Sequence, residues 1–165
     1  KWHMGAEASA PRNYHSVSLL MPDASVLIAS SNRDGQSTSD SANLTMDVYQ
    51  PLYFCHARPE VLGLQGQSQI VVGQPFALLC IVPKGVQLDR VVLHRCDSVT
   101  HGYPADARTV TRKLANLNIG SGAPQVVEVP AVKSQLVAVP VWYMLLLVTD
   151  ANVPSAKAVF VEVTS

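Results

Sequence analysis

Short runs of alternating or continuous apolar residues, separated by clusters of turn-forming residues, follow one another along the whole chain. No window of a dozen residues keeps apolar side chains at i, i+3, i+4 and i+7 without interruption by Pro, Gly or β-branched residues, so the helical period is missing. Apolar or alternating runs of about four to eight residues between turns are typical of β-strands. The pattern therefore predicts an all-β chain.

The first segment contains three strand patterns. Residues 17–21 and 26–29 are largely apolar, and a Pro-Asp turn signal separates them. Apolar residues alternate with other residues from Leu44 to Val48, which predicts a half-buried strand. Residues 30–43 are rich in Ser, Asp, Asn and Gly, and this composition predicts an exposed loop.

Three such strands bury too little apolar surface to offset the chain entropy that is lost on folding. They need neighbouring strands, and the blades of a β-propeller supply neighbours to one another in this way. We therefore expect residues 1–52 to be part of a propeller blade. A linker that contains Pro51 and Pro59 follows it.

The remainder of the chain contains about seven strand-like runs with turns between them. The runs are residues 60–64, 70–72, 76–82, 88–96, 107–117, 125–129, 141–149 and 156–163, of which the second can extend the first. Seven short strands in about 100 residues predict an immunoglobulin-like β-sandwich, here residues 53–165. Trp142 belongs to the most apolar run, so we expect it in the centre of the core.

Charge and hydropathy exclude several classes of partner. The formal net charge is zero and 15% of the residues are charged, so nothing predicts binding to nucleic acid or to a membrane surface. The longest apolar run, residues 141–148, is far shorter than the ~20 residues that span a bilayer, and we expect no transmembrane helix. The chain begins at Lys1 without signal-peptide features, so we expect a mature, processed or partial chain.

The three cysteines, Cys55, Cys80 and Cys96, lack the CxxC spacing of a structural zinc site. Cys80 and Cys96 lie in consecutive predicted strands and form the candidate disulfide pair. The alternative is three buried thiols that pack as small apolar side chains. Asn43 begins an Asn-Leu-Thr sequon for N-glycosylation, which favours a secreted or cell-surface protein.

Tyr14, His15 and His101 are the candidate metal ligands. Tyr14 and His15 precede the first strand, and His101 follows a strand pattern that breaks into a loop. Two imidazoles and a phenolate suit a copper ion. Adjacent side chains of a regular strand point to opposite faces, so Tyr14 and His15 can share a metal only if the backbone bends there. The alternative for each histidine is a partly buried side chain bonded to the backbone. We expect surface or linker positions for His3, His56 and His94.

Several motifs follow one another in the order found in one known family. Residues 12–23 resemble its Arg-x-Tyr-His-Ser…Leu-Leu-x-Pro-Asp-Gly motif, and residues 29–32 resemble its Ala-Gly-Ser-Asn. Further matches are Arg58-Pro59, Thr100-His101 with residues 106–108, Trp142-Tyr143-Met144-Leu145 and Val153-Pro154-Ser155. The motifs are those of galactose oxidase and glyoxal oxidase, the copper radical oxidases, and the chain resembles their C-terminal portion.

This resemblance implies a kelch-type β-propeller followed by an immunoglobulin-like (early-set) domain, with copper on the propeller axis. One loop of the C-terminal domain reaches the metal with a histidine. By resemblance, His15 and His101 are the imidazole ligands, and Tyr14 is the axial tyrosine that takes the proton from the substrate hydroxyl. The resemblance also implies an extracellular protein whose partner is the remainder of its propeller.

The same family needs a second tyrosine, crosslinked to a cysteine, and the resemblance locates both in earlier blades. In addition, Ala24 and Ala107 replace a glycine and a glutamine of the family. We therefore expect the C-terminal part of a secreted copper radical oxidase-like protein. It would oxidise an alcohol or aldehyde and reduce oxygen to hydrogen peroxide only with the missing propeller.

Two alternatives remain open at this point. One is a non-catalytic extracellular module in a cell-wall, matrix or surface-filament assembly, because sandwiches of this type also serve as interaction domains. The other is carbohydrate binding by the sandwich, for which the available aromatic residues are Tyr103, Trp142 and Tyr143.

Overall fold

The structure is a computed structural model that describes residues 4–31, 43–100 and 103–165 of the 165-residue chain. The described strands are β1 (Val17–Leu20), β2 (Val26–Ala29), β3 (Met46–Tyr49), β4 (Glu60–Leu64), β5 (Ile70–Val71), β6 (Phe76–Ile81), β7 (Gln87–Arg95), β8 (Val99–Thr100), β9 (Tyr103–Pro104), β10 (Thr109–Ile119), β11 (Pro124–Val129), β12 (Trp142–Thr149) and β13 (Val159–Thr164). A 3-10 helix, Leu52–Cys55, lies between β3 and β4. The predicted all-β class is confirmed. In the described part of the chain, no helix combines the length and the apolar character that crossing a membrane requires.

The described residues form two compact units. The first consists of residues in Lys1–Met21, Ser25–Pro51 and Asp97–Asp106, and the second of Pro22–Ala24, Leu52–Cys96 and Ala107–Ser165. The hairpin of β8 and β9 thus belongs to the first unit, although β7 and β10 on either side of it belong to the second.

The first unit contains an antiparallel sheet in the order β1-β2-β3. Val17 pairs with Ala29, and Leu27 pairs with Val48. Strand β8 contacts β1. The apolar side chains of β3 are the exposed ones, with Met46 67% and Val48 55% exposed, because no described element covers that face. The predicted loop at residues 30–43 lies mostly outside the described residues.

The second unit is a sandwich of a five-stranded sheet, β10-β7-β12-β13-β5, and a three-stranded sheet, β11-β6-β4. Side chains of both sheets alternate between the core and the outside. Phe76, Leu78 and Cys80 of β6 are buried, as are Val91 and Leu93 of β7. This is the predicted immunoglobulin-like architecture, and its core forms where the inward-facing sides of the two sheets meet.

Strands β4 and β5 are separate elements of different sheets. Residues of β4 pair with β6, with Glu60 opposite Ile81, whereas β5 pairs in parallel with β13, with Ile70 opposite Val163. The two apolar runs therefore do not form one extended strand. The chain crosses from one sheet to the other between them.

The prediction that Trp142 lies in the core is wrong. Trp142 is 54% exposed, whereas Tyr143, Leu145 and Leu147 are fully buried. The inward-facing set of β12 begins at Tyr143, so its neighbour Trp142 faces outward. The Tyr143 hydroxyl donates a hydrogen bond to the carbonyl oxygen of Val139 over 3.0 Å, which satisfies the phenol inside the core.

The candidate disulfide between Cys80 and Cys96 is absent from the structure. Cys80 lies in the three-stranded sheet, where it is buried and its Sγ lies 3.7 Å from the carbonyl oxygen of Gln125. Cys96 follows β7 of the opposite sheet and is exposed. Consecutive strands β6 and β7 cross the sandwich, so adjacency in sequence does not bring the two thiols together. Cys55 is also exposed, which overturns the alternative of three buried thiols.

Candidate metal site

Tyr14 and His15 lie side by side immediately before β1. Their ring centroids are 4.0 Å apart and the ring planes meet at 28°, so the rings are stacked. His15 has a φ of 63°, in the left-handed region, where a residue other than glycine is disfavoured by roughly 1–2 kcal/mol. An extended backbone would direct the two side chains to opposite faces. The bend that a shared metal requires is therefore present at this junction.

Hydrogen bonds on both sides fix the turn that carries the pair. The amide of Asn13 donates to Oγ of Ser31 over 2.7 Å, and the amide of Ser16 donates to the carbonyl oxygen of Asn13 over 3.2 Å. Ser31 is buried. Pairing of Val17 with Ala29 then begins the sheet directly after the turn. The strained residue thus lies between two anchored points of the backbone.

The two donors of the pair differ in accessibility. Tyr14 is 51% exposed, whereas His15 is half-buried. An exposed phenol and a partly buried imidazole present one oxygen donor and one nitrogen donor on the same short segment. Copper(II) accepts both types of ligand.

His101 and Gly102 lie outside the described residues. The strands on either side of them, β8 and β9, form an antiparallel hairpin in which Thr100 pairs with Tyr103. This hairpin belongs to the same compact unit as Tyr14 and His15, and its strand β8 contacts β1.

The described residues do not contain a complete metal site. Across residues 4–31, 43–100 and 103–165, no group of three or more His, Cys, Asp or Glu side chains comes together. His56 is exposed in the linker, and Nδ1 of His94 lies 3.0 Å from Oγ1 of Thr109; both belong to the second compact unit. His3 lies outside the described residues. A metal site that included Tyr14 and His15 would therefore need further ligands.

Residues of three sequence motifs meet in the second unit and have a structural role. The Arg58 guanidinium donates to the carbonyl oxygens of Pro154 over 3.0 Å and of Ser155 over 2.6 Å. Another bond reaches the carbonyl oxygen of Asp23 over 2.6 Å. The guanidinium also lies 4.4 Å from the ring centroid of Phe54. Burial lowers the pKa of Arg58 from its usual value. The side chain thus connects the segment before β4 to the loop before β13.

Sequence reasoning assigned no role to Arg12 and Asp47, which form an ion pair of 2.7 Å in the same compact unit as the candidate ligands. Hydrogen bonds from Ser9 and then Arg12 hold the pKa of Asp47 below its usual value. One signal was available in the sequence. A carboxylate within the apolar strand pattern around Met46 and Val48 needs a partner on its own face, and Arg12 of the first motif supplies it.

Comparison with known proteins finds similarity to galactose oxidase and to a related aldehyde oxidase. The family model described as galactose oxidase-like, early set domain, matches residues 58–163. A galactose oxidase of Gibberella zeae is 27% identical over 156 residues, which cover 91% of this chain and 21% of that protein. Aldehyde oxidase GLOX1 of Arabidopsis thaliana is 24% identical over 160 residues, which cover 91% of this chain and 26% of that protein.

A solved structure is also similar over nearly the whole chain. It is a fungal alcohol oxidase of the AA5 family in complex with copper, with a TM-score of 0.73 and 26% sequence identity, and the match covers 97% of this chain and 33% of that one. The chain spans 21%, 26% and 33% of the lengths of these three relatives. Because the family model matches more than half of its residues, the chain belongs to the galactose oxidase-like, early set domain family.

Proposed function

We propose that this chain is the C-terminal part of a secreted copper radical oxidase, which oxidises an alcohol or an aldehyde when the rest of a β-propeller completes it. The observation that carries the proposal is the stacked Tyr14–His15 pair with its left-handed histidine. Strained backbone at accessible donor side chains is typical of functional sites, because packing alone rarely favours it. Family membership and the copper-bound relative support the same chemistry.

In this proposal Tyr14 and His15 hold the copper, with His101 as the second imidazole ligand. Copper, when bound, supplies the one-electron chemistry and polarises the substrate hydroxyl. Tyr14 accepts the hydroxyl proton at its phenolate oxygen, since a base must lie within hydrogen-bond reach of the proton that it removes. An alcohol then becomes an aldehyde by losing two electrons and two protons, and oxygen gains both to become hydrogen peroxide.

The proposed partner is the remainder of the propeller. Leu44, Met46 and Val48 are 86%, 67% and 55% exposed, and they form an apolar stripe on and just before β3. Contiguous apolar surface normally marks an interface. A neighbouring blade that packs on this stripe would bury it and would bring the residues of the radical site that this chain lacks.

We also propose an extracellular location with a glycan on Asn43. Its Oδ1 accepts hydrogen bonds from the amide and the hydroxyl of Thr45, over 3.0 and 2.7 Å. The sequon therefore lies in a local turn just before β3. Treatment with a glycosidase after secretion from a eukaryotic host should lower the mass of the wild-type protein but not of Asn43→Gln, and an unchanged wild-type mass would refute the assignment.

The experiment uses the longer protein that contains this chain, loaded with copper and assayed for peroxide with simple alcohols and aldehydes. His15→Ala and His101→Ala should abolish peroxide release. Tyr14→Phe should lower kcat by roughly 100-fold or more, because a positioned proton acceptor contributes about 10²–10⁴-fold. His94→Ala is the matched control, since His94 lies in the sandwich and contacts Thr109.

Retained activity in His15→Ala or His101→Ala would show that the site is assigned to the wrong residues. If the wild-type longer protein binds no copper and releases no peroxide, the proposal fails. A non-catalytic extracellular module is then the better description of the same scaffold.

A further inference from the structure

Arg12 lies two residues before Tyr14, and its side chain is only 10% exposed. Its guanidinium joins the chain before β1 to the facing ends of β2 and β3. The bonds reach the carbonyl oxygen of Thr45 at 2.9 Å, Oγ1 of Thr45 at 3.1 Å, Oδ2 of Asp47 at 2.7 Å and the carbonyl oxygen of Ser30 at 3.4 Å.

The carboxylate of Asp47 fixes a second point of the same segment. Its Oδ2 accepts the amide of Ser9 over 3.2 Å as well as the Arg12 guanidinium. Residues 9–12 are therefore held along β3 by one carboxylate and one guanidinium. All four acceptors that Arg12 bonds lie at the facing ends of β2 and β3, so these bonds tie the segment before β1 to the sheet.

The left-handed His15 needs such an anchor. Relaxing its φ to the extended region would relieve backbone strain, so the stacked pair persists only if its surroundings hold it. Downstream, β1 pairs with β2 from Val17 onward. Upstream, the anchors are Arg12 and the bond from Asn13 to Ser31. Loss of Arg12 would remove one of the points that hold the turn upstream.

We propose that Arg12, through its fork of hydrogen bonds to Thr45 and Asp47, is a positioning residue that holds Tyr14 and His15 in the stacked, left-handed arrangement. The inference deepens the proposed function, on which its relevance to copper rests. The stacking of Tyr14 on His15 and the left-handed φ of His15 are observed in this chain and do not depend on copper.

The planar fork of arginine is essential to this role. A guanidinium can bond a carbonyl, a hydroxyl and a carboxylate at once, whereas the ammonium of lysine is a single point with fewer directed donors. Arg12→Lys keeps the charge next to Asp47 but loses the fork. We expect its effect to lie between those of the wild type and Arg12→Met.

The first readout is the ring geometry in the longer protein that contains this chain, measured as NMR contacts between selectively labelled Tyr14 and His15 rings. They should be strong in the wild type, lost in Arg12→Met and weakened in Arg12→Lys. Contacts between β1 and β2 report whether the sheet remains folded. Arg112→Met is the matched control, because Arg112 is an arginine of the sandwich whose Nε donates to the carbonyl oxygen of Pro130.

The second readout is copper(II) affinity of the longer protein, followed by its electron paramagnetic resonance spectrum. Arg12→Met should weaken binding about tenfold, which corresponds to about 1.4 kcal/mol and is within the strain that the anchor offsets. Arg112→Met should leave affinity and spectrum unchanged.

Ring contacts that persist at wild-type strength in Arg12→Met would overturn the proposal. If that variant loses the β1–β2 contacts altogether, Arg12→Lys decides. If Arg12→Lys stays folded and its Tyr14–His15 ring contacts are as strong as in the wild type, the proposed role of the guanidinium fork is also overturned. A wild-type longer protein that binds no copper would refute the proposed function instead, and it would leave the ring readout intact.

Discussion

At the scale of single residues, Ala24 and Ser30 adopt left-handed φ values of 65° and 60°. Each stands where a motif that the chain resembles has a glycine. Glycine adopts positive φ without the steric cost that a Cβ adds. At both positions the backbone therefore adopts a conformation that glycine favours, although the residue carries a Cβ.

Ser30→Gly should raise the free energy of unfolding by about 0.5–1 kcal/mol. Relief of left-handed strain gains roughly 1–2 kcal/mol, and the more flexible unfolded chain offsets roughly 0.4–1 kcal/mol of it. Urea unfolding of the wild type and the variant measures the difference.

Ala24→Gly is the comparison for that variant. Ala24 is 2% exposed, so removal of its methyl group forfeits buried apolar surface, at about 0.8 kcal/mol per carbon. The net change should be smaller than about 0.5 kcal/mol. Destabilisation by Ser30→Gly would mean that strain at this position is not what limits the stability of the unit.

The reactivity of the three cysteines provides a further test at the scale of single residues. Burial raises the pKa of the Cys80 thiol to about 11, so Cys80 stays protonated and unreactive at pH 8. Ellman's reagent should therefore titrate two thiols, Cys55 and Cys96, in the native chain and a third after denaturation. One reactive thiol with no increase on denaturation would instead indicate the Cys80–Cys96 disulfide.

At the scale of elements, apolar periodicity predicts the strands well because burial of one face leaves a period of two. Residues 76–82 correspond to β6, in which Phe76, Leu78 and Cys80 are buried. Periodicity carries no information on which strands pair. From the sequence, the run at β5 could extend the run at β4. The two belong to different sheets, and this depends on the path of the chain across the sandwich.

A single glycine joins two elements of the sandwich. Gly120, next to the end of β10, exchanges hydrogen bonds with the turn before β7, to Gly85 over 2.9 Å and to Val86 over 2.7 Å. A Cβ at this position would overlap the carbonyl oxygens of Pro83 and Val82. Gly120→Ala should therefore destabilise the sandwich by about 3 kcal/mol or more, as measured by thermal or urea unfolding.

Ser121→Ala is the control for this close approach. Ser121 is exposed and its Oγ accepts only a 3.3 Å bond from the amide of Ala123, so we expect a loss below about 1 kcal/mol. A Gly120→Ala loss as small as that of the control would mean that the end of β10 can move away from the turn without consequence.

At the scale of the whole molecule, the sequence predicts those parts of the site that local spacing determines. Adjacent Tyr14 and His15 can be identified as donors, and strand geometry shows that they need a bend. The Arg12 contacts cannot be predicted in this way, because Thr45 and Asp47 lie 33 and 35 residues further along the chain. Ligands that other blades would supply cannot be predicted from this sequence, because it does not contain their residues.

The most direct test is a crystal structure of the longer protein grown with copper, with data collected at the copper absorption edge. The account predicts one anomalous peak within coordination distance of the Tyr14 phenolate oxygen and of the imidazoles of His15 and His101. A copper peak at other residues, or a His101 imidazole turned away from the stacked pair, would contradict it.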